Sequence, residues 1–161
     1  MPVKRLKAFL DKEGVHYASV THPTVYTAQQ TAEAAHIPGR LMAKTVMVKL
    51  DGRMAMAVVP AASRVNLEML AKAGGASQAV LASEAEFEAL FPDIEIGAMP
   101  PFGNLYKLPV YISEEFAQHR QIAFNAGTHS EVLEMNYADF ERLVKPTILR
   151  FSTHEALAGT G

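Results

Sequence analysis

The sequence contains no cysteine. That excludes a disulfide framework, a thiolate metal site and a cysteine nucleophile. No apolar run reaches membrane-spanning length, and the start, MPVKRLKAFL, has no signal-peptide h-region. We therefore expect a cytoplasmic protein with no membrane partner. The Gly-x-Ser-x-Gly elbow, the phosphate-binding P-loop and the dinucleotide fingerprint are all missing. No pair among the six histidines has the spacing of a helical zinc motif, and no acidic pair stands out as an acid/base couple. No metal and no cofactor are expected. A formal net charge of −2 argues against broad coating of DNA and leaves room for a local basic site facing one end of a nucleic acid. Ser63, Ser83 and Ser113 stand where turns and caps need them. A hydrolase made from these residues would rely on positioned water and backbone donors.

What is present fits one domain of 161 residues, with 49% apolar and 20% charged side chains. Val3, Leu6, Phe9 and Leu10 share one helical face, and Gly14 can close that helix. Val15 to Thr21 reads as a strand. Thr27 with Gln30 is a capping box that opens a helix ending before Pro38-Gly39. Met42 to Leu50 and Arg53 to Val59 form a hairpin across Asp51-Gly52, a type I′ signal. Asn66 caps a helix over Leu67 to Ala73, and Ser83 with Glu86 caps another that stops at Pro92. Pro109 marks an edge or a bulge in the strand it begins. Ser113 caps a short helix, Gln121 to Ala126 and Glu131 to Met135 are strands joined across Gly127, and Tyr137 to Val144 is a helix. The expected architecture is α+β, one domain over residues 1–151, with a flexible tail over 152–161.

Three stretches carry candidate chemistry. In GAMPPFG, Gly97 and Gly103 bracket Pro100 and Pro101, so the loop is stiff, with N–H groups at Gly97, Ala98 and Met99 exposed to a ligand's oxygen. Lys44 shares a strand face with Met42, Val46, Val48 and Leu50. A buried ammonium without a partner is costly, so Lys44 either snorkels past the strand end or lines a pocket and meets an anion. Lys49, on the other face, reads as solvated. His129, in FNAGTHSEVL, follows the turn at Gly127 and can exchange a proton near neutral pH.

MAKTVMVKLDG, GAMPPFG and FNAGTHSEV, in this order and at these separations, resemble the YbaK/prolyl-tRNA synthetase editing-domain superfamily of aminoacyl-tRNA deacylases. The likeness runs from the first helix to about Val144. It implies a mixed, largely antiparallel, barrel-like sheet with surrounding short helices. It also implies metal-independent hydrolysis of the ester of mischarged tRNA carrying a small amino acid: alanine, serine or threonine. Lys44 matches the superfamily's hallmark lysine, and Gly97 to Pro101 match its Gly-x-x-x-Pro loop. A histidine matching His129 occurs in some branches. Some alanine-editing members carry asparagine after the lysine, where this chain has Thr45. We expect Lys44, Gly97, Ala98, Met99 and His129 to carry the reaction, and Thr45, Pro100, Pro101, Phe102, Gly127 and Thr128 to contact substrate. The implied partner is the tRNA acceptor end, with an aminoacyl-tRNA synthetase as a second candidate. The alternative is a non-catalytic module of this fold that docks tRNA or a synthetase.

Overall fold

The computed structural model describes residues 2–91, 94–95 and 97–154. The expected helix stop at Pro92 and residues 155–161 of the tail lie outside the described residues. Helix α1 (Pro2–Lys12) sends Leu6 and Leu10 into the core and ends at Gly14, whose φ of +68° suits a glycine. Strand β1 (Tyr17–Thr21) leads to α2 (Ala28–Ala34), where both halves of the capping box form: Gln30 N–H donates to Thr27 Oγ1 and Thr27 N–H to Gln30 Oε1. β2 (Met42–Leu50) and β3 (Arg53–Pro60) are the expected hairpin, with φ of 50° at Asp51 and 85° at Gly52. β4 (Ser63–Val65), α3 (Leu67–Ala73), β5 (Ala79–Leu81) and α4 (Glu84–Glu88) follow. Asn66 caps α3, and the Ser83–Glu86 box caps α4. After the proline loop come β6 (Val110–Ser113), β7 (Gln121–Asn125), β8 (Glu131–Asn136), α5 (Tyr137–Val144), β9 (Thr147–Leu149) and β10 (Ser152–His154).

The α+β expectation holds. Among the described residues eight strands form one mixed sheet in the order β1-β8-β7-β2-β3-β6-β9, with β5 also on β2. The pairs β1/β8, β7/β8, β2/β3 and β2/β5 are antiparallel; β2/β7, β3/β6 and β6/β9 are parallel. Both faces of β2 are covered. Ala43 and Met47 pack into a cluster that includes Phe102, Phe124 and Phe140, while Val48 and Leu50 pack with Leu70 and Phe151. Phe102 sits edge-on to Phe124 and Phe140, at 5.1 and 5.4 Å between ring centroids.

Two expectations need correction. β6 lies between β3 and β9, not at an edge; Pro109 precedes the strand, where its missing N–H costs no ladder bond and its carbonyl accepts from Met56 N–H. Ser113 caps the expected short helix, which is of the 3₁₀ kind (Glu114–Gln118). The ordered fold extends past residue 151: buried Phe151 anchors β10, which pairs with β4, and Ser152 Oγ lies 2.8 Å from both Ser113 Oγ and Glu115 Oε2.

Candidate active site at a split in the sheet

β3 pairs with β2 from Ala43 to Leu50. The other edge of β2 is shared by two strands. β7 covers Met42 and Ala43, and β5 covers Val48 to Leu50. Between them, Lys44, Thr45 and Val46 have no strand on that edge among the described pairings. These three are half-buried, while Ala43 and Met47 on either side are buried. The sheet opens at Lys44.

β7 runs parallel to β2, with Ala43 beside Phe124. The next step of that register sets Lys44 alongside Asn125, two residues before Gly127. Met42 and Ala123 share a cluster, so alternation turns Lys44 and Asn125 to that same side. Two buried oxygens flank the opening without a hydrogen-bond partner among the described residues: Thr45 Oγ1 and Asn125 Oδ1. Such groups each cost about 1–3 kcal/mol, and where they persist the position is worth reading for function.

Beyond Asn125 the chain docks directly onto the proline loop. Glu95 N–H donates to Gly127 O, Gly127 N–H to Ala98 O, and His129 N–H to Glu95 Oε1, all at 3.0 Å. Gly97 (φ +86°) and Gly127 (φ +101°) take backbone shapes that L side chains avoid. Gly97 also lies against the imidazole, since a Cβ there would stand 3.3 Å from His129 Cε1. His129 is only 6% exposed. Val25 N–H reaches its carbonyl at 3.4 Å, His22 N–H reaches Ser130 O at 2.9 Å, and the Tyr26 ring packs 5.1 Å from its own. Half-buried Thr128 places its hydroxyl 3.4 Å from Ser130 Oγ.

The proline loop and the His129 turn therefore meet, and β7 runs beside the strand of Lys44. Ala98 does not offer its N–H outward: the 95–98 turn uses it to donate to Glu95 O at 3.0 Å, and Ala98 is fully buried. Of the three expected donors, the N–H groups of Gly97 and Met99 have no acceptor among the described residues. Pro100 and Pro101 are buried and shape the loop. Phe102 is a core residue with no exposed surface, its N–H held by Pro100 O at 2.8 Å. Lys49 is not simply solvated: it reaches Glu86 at 2.5 Å. That contact, with help from Ser83, lowers the Glu86 carboxyl to about 2. It ties α4, the element preceding the loop, to β2.

Sequence reasoning missed Glu95, Asn125 and Tyr26. Glu95 had one local signal, an acidic side chain two residues before the loop glycine. Among the described residues, no three histidine, aspartate or glutamate side chains converge so as to hold a metal ion. No helix among them is long and apolar enough to cross a membrane.

This arrangement brings the strand that carries Lys44, the loop that carries the Gly97 and Met99 N–H groups and the turn that carries His129 next to one another. It is a site suited to orienting and polarising a substrate that is already reactive. The chain belongs to the aminoacyl-tRNA editing domain family, whose model matches residues 22–143. It is 31% identical over 153 residues to the Multifunctional Ser/Thr-tRNA deacylase ProXp-y of Escherichia coli (strain K12), covering 92% of this chain and 91% of that protein. The fold matches a crystal structure described as a trans-editing enzyme for prolyl tRNA synthetase (TM-score 0.82, 19% identity, 94% of this chain and 97% of that one). It also recurs in a protein from Marinobacter aquaeolei VT8 named for signal transduction (TM-score 0.72, 17% identity). That match covers 97% of this chain but 32% of the other. The fold alone does not fix an activity.

Proposed function

We propose that this protein is a trans-acting aminoacyl-tRNA deacylase that hydrolyses mischarged tRNA bearing a small amino acid, serine or threonine foremost and alanine as the third candidate. The observation that carries this reading is the meeting of the Lys44 strand, the Gly97 loop and the His129 turn at one opening of the sheet. The length-wide relation to a Ser/Thr-tRNA deacylase supports it.

An aminoacyl ester needs little activation. Hydrolysis requires a held water and a counterpart for the charge that develops on the carbonyl oxygen. The N–H groups of Gly97 and Met99 serve as that counterpart, and one such donor typically contributes about 10²–10³-fold in rate. The buried prolines hold the loop in place, so the donors need no reorganisation during reaction. Lys44 holds a phosphate or sugar oxygen of the acceptor end and so orients the ester. His129, fixed through Glu95, positions water or the terminal ribose. In any aminoacyl-tRNA a ribose hydroxyl stands next to the ester and can assist the attacking water, so no side-chain nucleophile is required. Such work places the protein in the cytoplasm, with the synthetase that generates the mischarged tRNA as a second partner.

The test is a deacylation panel with tRNAs charged with serine, threonine and alanine. Catalytic release of serine or threonine is expected. Binding of charged tRNA without release of any amino acid would favour a docking module instead.

A further inference from the structure

Tyr26 is the most exposed large hydrophobic side chain among the described residues, at 72%. It is also beside the site, with its ring centroid 5.1 Å from that of His129 and the two planes tilted by 58°. An exposed aromatic on a loose loop would mean little, but this one is held from both sides. Val25 N–H is bonded to His129 O, Tyr26 N–H reaches Gln30 Oε1 at 3.3 Å, and Thr27 is the N-cap of α2. The backbone is pinned while most of the ring faces solvent.

We propose that Tyr26 is a stacking platform for the terminal adenine of the tRNA substrate. The proposal rests on the deacylase reading and adds a base-recognition subsite to it. In an aminoacyl-tRNA one ribose separates the ester from the terminal base. A group that acts at the ester from His129 therefore leaves the base about one ring away, where Tyr26 stands. Every base has a π-face, and single-stranded ends are commonly held on aromatic side chains. The charge balance points the same way. At a formal net charge of −2 the chain offers only a weak general attraction for phosphates, so affinity for a flexible end needs a contact that is not ionic.

The experiment compares wild type, Tyr26→Ala and Tyr26→Phe on two seryl-minihelices, one with a normal terminal adenosine and one with that base removed and the ester kept. On the normal minihelix Tyr26→Ala should lower kcat/KM by about 5–150-fold, mainly through KM, as base–aromatic stacking of ordinary strength implies. Tyr26→Phe should stay near wild type. On the base-less minihelix wild type should fall by a similar factor and Tyr26→Ala should lose nothing more. Equal fractional losses on both substrates would overturn the platform, because the ring would then merely support His129. Failure of wild type to hydrolyse any charged RNA would overturn the deacylase reading, and the platform with it.

Discussion

Gly97→Ala separates two consequences of one methyl group. At φ +86° an L side chain costs roughly 1–2 kcal/mol of backbone strain. The new Cβ would also stand 3.3 Å from His129 Cε1, inside the relaxed carbon–carbon separation of about 3.5–4.0 Å. The imidazole must retreat by a few tenths of an ångström. Misplacing a reacting group by about 1 Å costs about 10²-fold, so a shift of this size should lower turnover by on the order of tenfold. Gly52 supplies the control. Its φ is +85°, and a Cβ there meets nothing within 4 Å. Gly52→Ala should lose similar stability in chemical denaturation while keeping wild-type kcat. Gly97→Ala should lose both, and in a His129→Ala background it should reduce turnover no further. Wild-type kcat in Gly97→Ala, or its full effect persisting without His129, would refute the coupling of loop and imidazole.

Two further substitutions probe the supports of the site. Glu95→Ala leaves the buried His129 N–H without its acceptor and should lower kcat severalfold, whereas Glu95→Gln keeps a carbonyl oxygen there and should stay near wild type; equal loss from both would assign the role to the carboxylate's charge. Glu86 titrates at about 2 when folded, chiefly because Lys49 bonds its carboxylate, against an ordinary 4.5. A carboxyl whose pKa is depressed by folding stabilises the fold above its unfolded value and loses that effect as pH falls through the folded one. The stability gap between wild type and Glu86→Gln should therefore be full above pH 4.5 and close towards pH 2, and high salt should shrink it; a gap that widens on acidification would contradict the pairing.

The parts of this fold legible in the sequence are those set by near neighbours. The Thr27–Gln30 and Ser83–Glu86 boxes, the Asn66 cap and the Asp51-Gly52 turn each depend on residues at most three apart. The strand alternation that singled out Lys44 is equally local. The three-residue strands β4, β5, β9 and β10 were not legible, because only distant partners make them strands. Pro109 was misread for the same reason: whether a proline marks an edge depends on where its strand lies in the sheet. At the site, the motifs identified the loop and the histidine. The 95–98 turn that withdraws the Ala98 N–H, the Glu95 clamp and the opening of β2 at Lys44 arise from contacts between segments far apart in the chain.

The decisive comparison is between Lys44→Ala and Lys49→Ala, each measured for kcat and KM on one mischarged seryl- or threonyl-tRNA. Both substitutions remove one positive charge from β2, and they differ in place: Lys44 lies at the opening and Lys49 lies against Glu86. A diffuse field for RNA would make them equivalent, weakening binding alike and reducing its salt dependence alike. If Lys44 orients the acceptor end, its loss should depress turnover at saturating tRNA by about 10²-fold, the scale expected when a reacting ester loses its alignment. Lys49→Ala should then retain wild-type kcat. Small and equal changes from the two substitutions would contradict a directed role for Lys44 and leave a protein that binds tRNA without acting on it.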